Sequence, residues 1–581
     1  MGVTQHRGVV VAKNGVVAAS QPLAVAAGLN VLQQGGNFVD AAIATSAVLC
    51  VVEPFASHVG GDAFVIVYDG KTGQTTALNA SGAAPQAATP DRFPQGIPLR
   101  GMAAVSVPGL VDAWAELLSR WGTRPLADLL EPAIGYAGEG FPAGYRYARV
   151  FHDQAPLLHT FPNTAAALTG GVTPQPGSII RQPDLAWTLR QIAQGGRDAF
   201  YLGPIMERIV QFSRENAGLF APEDFAAHRT QITEPIRTTY RGYTVHGQPP
   251  VSQGHILLQQ LNLVEGFDLA ARGHNSADTI HLQVEAKKLA FADRAAYLGD
   301  PNFVRVPMET LLSKEYADRR RTQIDPRRAA AHVSAGMIDH DTTYFCVADR
   351  EGNAVSFIQS VFWGFGSAVV ADGTGVLFNN RMTGFSLDPA SPNVLQPGKR
   401  PAHTLNAYLV TKEGKFSPPA ALEDTEGHRG NTEQSMGKRE ENDPQMNADY
   451  RRLQAEEQKI AVERLAFVGG TPGGDIQVQS NLQVICNVID FGLNPQEAIE
   501  AARWQHGGSV GAPGETPSEV LAIEERVGEE TRAELARRGH NVSALGPWAH
   551  GSSYQLIAVQ PESGAYLAGS DPRCDGHAAG F

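Results

Sequence analysis

A predicted β-hairpin at residues 342–358 constrains the fold of this chain more than any other stretch. Two runs rich in β-branched and aromatic residues, Thr342–Val347 and Ala354–Ile358, flank a charged turn that contains glycine, Asp349–Asn353. The first strand therefore opens with a pair of threonines. Such a pair usually reflects the preference of β-branched residues for strands, because a threonine hydroxyl is a poor nucleophile without a base.

The motifs around this hairpin, and others far from it, occur in a specific order. In chain order the motifs are GGNFVDAA at Gly35–Ala42, the pair Gly60 and Gly61, DTTYFCVADREGNAVS from Asp341, FGS from Phe365, ADGTGVLFNNRM from Ala371, PGKRP at Pro397–Pro401, TPGGD at Thr471–Asp475, and the tail Gly551–Gly580. Together these motifs resemble the γ-glutamyltransferase family of N-terminal-nucleophile hydrolases over most of the chain. In that family, a threonine at the position of Thr342 becomes the first residue of a new chain after the precursor cuts itself.

This resemblance implies an α+β fold, a four-layer αββα sandwich in which two β-sheets lie between layers of helices. The residue patterns agree with it. Apolar residues at three- and four-residue spacing predict a helix at Gln21–Gln34, and an alanine-rich run predicts a closely packed helix at Asp40–Val51. A long amphipathic helix is predicted at Asp278–Tyr297. Its His281 is more often a satisfied helix histidine than a ligand.

The family mechanism, carried onto this chain, implies a cut between Asp341 and Thr342. The hydroxyl of Thr342 would attack the carbonyl of Asp341, and hydrolysis of the resulting ester would leave Thr342 with a free α-amine. An unperturbed α-amine has a pKa of about 7.7 to 8.0, so it can act as the general base for its own hydroxyl. We therefore expect a zymogen that yields a large subunit, residues 1–341, and a small catalytic subunit, residues 342–581, which stay together as a heterodimer.

Two further motifs match catalytic residues of the family. Gly473 and Gly474 match the glycines of the oxyanion hole, where backbone N–H groups stabilise the negative charge that forms during acyl transfer. Ser360 matches a hydroxyl that hydrogen-bonds the nucleophile. Each match has a plainer interpretation. A Pro-Gly-Gly sequence is commonly a turn, and Ser360 could equally be a buried hydroxyl with a structural hydrogen bond.

The positions that bind the γ-glutamyl group in the family are changed here. Ser81 replaces the arginine that binds the α-carboxylate, and Gly384 replaces the aspartate that binds the α-amine. Each lost charge-assisted hydrogen bond removes about 1.5 to 3 kcal/mol from the binding of a zwitterionic glutamyl group. Four other substrate-binding positions of the family fall on Phe362, Arg381, His403 and Thr404. Arg100 is a further candidate for binding the substrate in place of the lost arginine.

These changes leave three hypotheses. The first, which we favour, is an amidohydrolase or acyltransferase that forms an acyl-enzyme on Thr342 and acts on a small non-glutamyl amide, either a dicarboxylic monoamide such as oxamate or a glutaryl-type amide. The second is a true γ-glutamyltransferase or glutathione hydrolase that uses Arg100 or Arg381 as its anchor. The third is a non-catalytic relative that binds a ligand and never matures.

Composition and charge narrow the range of partners. A net charge of −13 argues against nucleic acid or an anionic membrane surface as the main partner. The four cysteines are scattered and form no CxxC pair, so we expect buried thiols rather than disulfides or a zinc site. We expect no cofactor and no metal, since the implied mechanism needs neither. No secretory signal is recognisable, so we expect a cytoplasmic protein, or a periplasmic one whose leader has been removed. Oligomerisation beyond the heterodimer stays open.

One segment departs from the family. Ala421–Arg464 holds 11 acidic and 7 basic residues, so 18 of its 44 residues are charged, and it separates two apolar runs that read as strands. We interpret it as an insertion in a hairpin, disordered up to about Pro444 and helical at Met446–Arg464. Long loops add little closure entropy, so the hairpin can tolerate it.

Overall fold

The computed structural model describes residues 5–330, 341–413, 463–507 and 519–581, and in it Asp341 and Thr342 belong to one continuous strand. The strands are β1 Val10–Ala12, β2 Gly15–Ala19, β3 Asp62–Tyr68, β4 Thr75–Asn79, β5 Phe141–Pro142, β6 Ile179–Ile180, β7 Gln231–Thr233, β8 Ile236–Tyr240, β9 Tyr243–Gly247, β10 Asp341–Asp349, β11 Ala354–Phe362, β12 Val370–Ala371, β13 Val376–Leu377, β14 Tyr408–Glu413, β15 Glu463–Gly470, β16 Trp504–His506, β17 Val520–Glu524, β18 Asn541–Leu545, β19 Gln555–Val559, β20 Tyr566–Ser570 and β21 His577–Gly580.

The helices lie mostly before β10 in the chain. They are α1 Pro22–Gln33, α2 Phe38–Val52, α3 Leu110–Trp121, α4 Leu126–Glu139, α5 Tyr145–Asp153, α6 Ala155–Thr160, α7 Pro162–Thr169, α8 Pro183–Tyr201, α9 Pro204–Glu215, α10 Pro222–Ala227, α11 Gly254–Val264, α12 Leu269–Arg272, α13 Ala277–Tyr297, α14 Met308–Leu312, α15 Lys314–Arg321, α16 Ile476–Ile489, α17 Pro495–Glu500 and α18 Glu529–Arg537.

Two seven-stranded sheets form the centre of the molecule. The strand order is β21-β2-β10-β11-β3-β4-β7 in the first sheet and β1-β20-β19-β15-β14-β9-β8 in the second. Every pairing within these two sheets is antiparallel. The predicted hairpin is present as β10 and β11, and β10 lies inside the first sheet, between β2 and β11.

Three hydrophobic cores separate four layers. The core between the sheets joins Phe64 and Tyr344 of the first sheet to Leu409 and Ile557 of the second. A second core packs the other face of the first sheet against α1–α4 and α8. A third packs the other face of the second sheet against α11, α13 and α16. This arrangement confirms the predicted α+β sandwich with αββα layering.

The helices predicted from spacing are present, with one difference in burial. Every residue of α2 is buried. The helix begins with a capping box, in which the Asn37 side chain accepts the backbone N–H of Asp40 and the Asp40 side chain accepts the backbone N–H of Asn37. The sequence predicts an amphipathic α13, yet residues 279–291 are all buried. Polar side chains tolerate this because they pair inside the protein, as Lys288 does with Glu285 at 2.7 Å.

The strands β14 and β15 form the hairpin around the charged segment. They pair from Tyr408 with Gly469 to Glu413 with Glu463. The predicted disorder and helix of the insertion lie outside the described residues, except at its end. There the helical prediction is wrong, because Arg464 belongs to β15, pairs with Lys412 and donates a hydrogen bond to the carbonyl of Gly70 at 2.9 Å.

All four cysteines, Cys50, Cys346, Cys486 and Cys574, are buried and unpaired. Burial raises the pKa of each thiol well above its usual range, so these side chains behave as small apolar groups. Across the part of the chain that the structure describes, no helix is both long and apolar enough to cross a membrane.

The hairpin gives a test of the insertion. Replacing residues 414–462 by Asn-Gly joins two residues that already face each other, and Asn-Gly favours the tight turn that antiparallel strands need. We expect thermal unfolding to occur at the same or a higher temperature, because each halving of loop length lowers the closure cost by about 0.6 kcal/mol. An insoluble product, or a midpoint lower by more than a few degrees, would mean that the segment packs on the fold.

Candidate active site

Thr342 lies at an irregularity in the pairing of β10 with β11. Asp341 pairs with Phe362 and Thr343 with Gln359, so Thr342 faces two residues of β11 across a β-bulge. Thr342 is 2% exposed, and its Oγ1 donates a hydrogen bond to Oγ of Ser360 at 3.2 Å. The same Ser360 oxygen accepts the N–H of Phe362 at 2.7 Å. The hydroxyls of Thr342 and Ser360 thus meet at the bulge, and the hydrogen bond that the resemblance implies for Ser360 is present.

The next side chain, Thr343, fixes the start of β10. Its Oγ1 donates to Oε2 of Glu53 at 2.9 Å and lies 2.6 Å from Oγ of Ser20. Glu53 is buried at the end of α2, and its other carboxylate oxygen accepts Nη1 of Arg146 at 2.7 Å. A buried carboxylate is costly unless it is paired and hydrogen-bonded, and here both conditions hold. The network ties α2, the end of β2 and the residue after the nucleophile candidate to one point.

The TPGGD loop connects β15 to α16. Gly473 and Gly474 adopt φ values of +115° and +54°, which favour glycine. Their carbonyls accept the N–H groups of Ile476 and Gln477 at 2.9 and 3.2 Å, so they point toward the helix. Because C=O and N–H of a trans peptide point in opposite directions, the N–H groups of Gly474 and Asp475 point away from the helix, at its positive end. This geometry suits an anion.

A cavity of about 220 Å³ opens beside these groups. Phe362, whose N–H bonds Ser360, lines it together with Gly384, His403, Thr404 and Asp475. The apolar part of the wall comes mainly from Phe291 of α13, from Leu298 directly after this helix, and from Phe362 and Pro392. Two predicted binding residues, His403 and Thr404, therefore reach the cavity. Oγ1 of Thr404 is buried and has no hydrogen-bond partner among the described residues.

Arg381 lies behind this wall in a buried ion pair with Asp62. Its Nε donates to Oδ2 of Asp62 at 2.9 Å, and Nε2 of His403 lies 3.3 Å from the same oxygen. Nη1 and Nη2 of Arg381 are buried and have no partner within the described ranges. The guanidinium lies 4.2 Å from the ring centre of Phe362, and Phe362, His403 and Gly384 all line the cavity. The two Nη groups are thus buried hydrogen-bond donors without an acceptor among the described residues.

The charge states of this cluster follow from burial. Burial, together with the charge of Arg381, lowers the pKa of His403 to about 4, so the imidazole is neutral at physiological pH. Its Nε2–H then donates to Asp62, and its Nδ1 accepts the N–H of Leu405 at 3.3 Å. Burial opposes the charged form of Asp62, but the hydrogen bond from His403 and the charge of Arg381 lower the carboxyl pKa on balance. Burial lowers the pKa of Arg381 to about 10, and it keeps its charge.

Two positions singled out by sequence have other roles in the structure. Ser81 is buried and donates its hydroxyl to Oδ1 of Asn79 at 2.6 Å. Arg100 donates through Nη1 to the carbonyls of Gly364, at 2.8 Å, and Gly366. Burial lowers the pKa of Arg100 to about 10. Among the described residues, Arg100 is not one of those that line the cavity, so its predicted role in substrate binding has no geometric support here.

Sequence reasoning missed three polar residues of the site. Asp62 follows the Gly60-Gly61 motif directly, which was the one available signal. Gln253 and Arg294 carry no local signal, because the pattern around Arg294 predicts only a packing helix. In the structure Arg294 binds both carboxylate oxygens of Asp475, and Gln253 contacts Arg294. Residues this far apart in sequence become neighbours only through the fold.

Three residues that could hold a metal meet elsewhere, although sequence spacing showed no such cluster. They are His281, Glu285 and His540, all buried. Nδ1 of His281 contacts Nε2 of His540 at 2.8 Å, and its Nε2 contacts the carbonyl of Asp325 at 2.7 Å. Glu285 binds Lys288 and the N–H of Ala330. Both ring nitrogens of His281 have partners, which agrees with the prediction of a satisfied His281, whereas Nδ1 of His540 has none among the described residues. We assign no metal to the three residues.

The chain is similar to known proteins over most of its length. Residues 24–420 and 460–581 match the family described as Gamma-glutamyltranspeptidase. The chain is 37% identical over 563 residues to the Glutathione hydrolase-like YwrD proenzyme of Bacillus subtilis (strain 168), with 96% of this chain and 97% of that protein covered. It is 33% identical over 580 residues to the Oxamate amidohydrolase proenzyme of Klebsiella pneumoniae, with 98% and 99% covered.

A solved structure agrees in fold as well as in sequence. The crystal structure of cephalosporin acylase from Bacillus halodurans matches with a TM-score of 0.84 and 36% sequence identity, and the match covers 100% of this chain and 98% of that one. The names of these similar proteins differ in substrate: one is a glutathione hydrolase-like proenzyme, one an oxamate amidohydrolase proenzyme and one a cephalosporin acylase. The chain belongs to the gamma-glutamyltranspeptidase family, whose members include hydrolase proenzymes.

Proposed function

We propose that this protein is a self-cleaving amidohydrolase whose nucleophile is Thr342 and whose preferred acyl group carries a carboxylate but no α-amine. The observation that carries the proposal is the pairing of two features at one cavity. Arg381 holds two unpartnered Nη groups behind the wall, whereas the position of the family aspartate is Gly384. The hydrogen bond between Thr342 and Ser360 supports the assignment of Thr342 as the nucleophile.

Self-cleavage uses the bulge. Oγ1 of Thr342 attacks the carbonyl carbon of Asp341, the C–N bond between the two residues breaks, and the nitrogen takes up the hydroxyl proton. Water then hydrolyses the ester, which gives a carboxylate on Asp341 and a free hydroxyl and amine on Thr342. Ser360 orients the attacking oxygen, and Thr343 keeps the strand fixed through Glu53.

Amide hydrolysis then repeats this chemistry on a substrate. The neutral α-amine of Thr342 takes the proton of Oγ1, and Oγ1 attacks the amide carbonyl. N–H groups of the Gly473–Gly474 loop stabilise the oxyanion, and the departing amine receives the proton. Water hydrolyses the acyl ester and regenerates Thr342. Transfer to an amine acceptor instead of water would follow the same path.

A dicarboxylic monoamide suits the cavity because its second carboxylate can accept two parallel hydrogen bonds from the Nη groups of Arg381. A γ-glutamyl substrate also needs a partner for its ammonium group. Asp475 is the carboxylate that lines the cavity, but Arg294 already binds both of its oxygens, at 2.5 and 2.9 Å. Glutathione hydrolysis, which the name of the Bacillus subtilis relative suggests, is therefore the second candidate.

Intact mass tests the nucleophile. Wild-type protein should yield fragments of 341 and 240 residues, about 36 and about 26 kDa of the total 62.0 kDa, with the smaller beginning at Thr342. Thr342→Ala should remain a single chain because it lacks the attacking oxygen. Thr342→Ser is the control, since it keeps an attacking oxygen at the same place and removes only a methyl group. An uncut wild type, or a cut Thr342→Ala variant, would contradict the proposal.

The pH dependence of kcat/KM tests the base. A protonated amine cannot accept the hydroxyl proton, so kcat/KM should fall about tenfold per pH unit below a midpoint near the ordinary amine pKa of about 7.7 to 8.0. His403 cannot produce this limb, because burial holds its pKa at about 4. A profile that stays flat down to pH 5 in the cut wild-type protein would exclude the amine as the base.

Gly384→Asp tests the specificity. A Cβ at Gly384 would meet nothing closer than the carbonyl of Ala402 at 3.6 Å, so the side chain fits. The new carboxylate should raise kcat/KM for a γ-glutamyl anilide at least about tenfold, the effect of one charge-assisted hydrogen bond. Gly384→Asn matches the size without the charge and should not. Equal gains in both variants, or a wild type that prefers γ-glutamyl anilide to a dicarboxylic monoamide, would refute the proposed specificity.

A further inference from the structure

We propose that Arg294 is a positioning residue for catalysis, which holds the Gly473–Gly474 loop in its working shape from the other side of the proposed cut. The inference rests on the proposed function, because it takes this loop to be the oxyanion hole. It adds a residue in a helix that sequence patterns assign to packing alone.

The first arm of the interaction is a bidentate ion pair with Asp475, the residue that follows the two glycines. Nη1 of Arg294 lies 2.5 Å from Oδ1 of Asp475, and Nη2 lies 2.9 Å from Oδ2. Asp475 is 2% exposed, and the Arg294 side chain is 16% exposed. Two parallel bonds between planar groups fix direction as well as distance. The side chain of Asp475 thereby holds in place the peptide between Gly474 and Asp475, which carries one of the outward N–H groups.

The second arm passes through Gln253. Nη1 of Arg294 donates to Oε1 of Gln253 at 2.8 Å, which leaves the amide nitrogen free to donate on its other side. That nitrogen donates to the carbonyl of Gly474 at 3.1 Å and to the carbonyl of Thr404 at 2.7 Å. A guanidinium has no acceptor, so it fixes which end of the Gln253 amide faces the loop. One cation therefore positions the peptide between Gly474 and Asp475 from both of its residues, through the Gly474 carbonyl and through the Asp475 side chain.

The loop needs such support because of its glycines. Gly473 and Gly474 have no Cβ, so many backbone conformations are open to them and nothing in their own side chains selects the observed one. The Arg294 guanidinium is itself restrained, since it lies 4.4 Å from the ring centre of Phe291 in the preceding turn of α13. Through Arg294, the rigid helix α13 thus restrains the backbone at the conformationally permissive Gly473 and Gly474.

The interaction also crosses the proposed cut. Gln253 and Arg294 precede residue 341, whereas Thr404, Gly474 and Asp475 follow it. The large fragment would therefore supply the parts that keep the oxyanion hole of the small fragment in shape. Arg294 itself lines the cavity, so its loss can be read directly in catalysis.

The experiment compares Arg294→Lys and Arg294→Met with matched variants of Arg320. Arg320 pairs with Asp293, the neighbour of Arg294 in α13, at 3.0 Å and with a side chain 20% exposed, but among the described residues none of its hydrogen bonds reaches the loop. Misplacing a catalytic group by about 1 Å costs about 100-fold in rate. We expect kcat for a dicarboxylic monoamide to fall about 10- to 100-fold in Arg294→Met, and less in Arg294→Lys, with KM changed less than about threefold. The Arg320 variants should keep kcat within about twofold.

Hydrogen exchange supplies a readout that does not depend on the substrate. Amides of residues 471–477 should exchange faster in the Arg294 variants and in Asp475→Asn, which breaks the same pair from the other end, but not in the Arg320 variants. Unchanged kcat in the Arg294 variants of an active enzyme, or an equal loss in the Arg320 variants, would overturn the inference. A wild type that is uncut and hydrolyses no amide would instead refute the proposed function, while exchange would still report on the loop.

Discussion

The antiparallel pairing of β10 with β2 on one side and β11 on the other is the interaction on which the site depends. Phe345 pairs with Ala19 and Val347 with both Val17 and Val355, so residues 345–348 are held by two neighbouring strands. Only at Thr342 does the register with β11 shift. The regular ladder therefore breaks at the residue whose hydroxyl we propose as the nucleophile.

The charges of the site are arranged so that each buried ion has a partner. Asp62 faces Arg381, and Asp475 faces Arg294. Removing one member of such a pair would leave an uncompensated charge in a low-dielectric interior, which costs more than the pair contributes. Among the described residues, neutral or already paired groups and an apolar wall line the cavity, and the two Nη groups of Arg381 lie behind that wall, beside Phe362. Under the proposed function, a substrate would be selected by the hydrogen bonds still available to it rather than by net charge.

Local patterns in the sequence were sufficient for the hairpin and for the buried helix α2, because strand-forming runs around a glycine-containing turn and an alanine-rich run are properties of neighbouring residues. Motifs of the resemblance led to Thr342, Ser360 and the Gly473–Gly474 loop. The links between these motifs were not accessible in this way. Arg294 meets Asp475 across 181 positions, and Asp62 meets Arg381 across 319. Spacing within one helix or strand carries no information about such encounters. The burial of residues 279–291 in α13 was unpredictable for the same reason, since a polar residue such as His281 finds its partner in a distant segment, at His540.

The order of strands in the first sheet has a consequence for the lifetime of a cut molecule. Four of its strands, β2, β3, β4 and β7, precede residue 341, and three, β10, β11 and β21, follow it, interleaved with them. Cleavage would leave the fold in place but divide the sheet between two polypeptides. Unfolding would then release two pieces whose reunion depends on their concentration, whereas the intact chain first folded alone. The mature protein would persist through the height of its unfolding barrier rather than through a reversible balance. A protein cut in this way would fold once, as a single chain, and would not readily refold from its separated fragments.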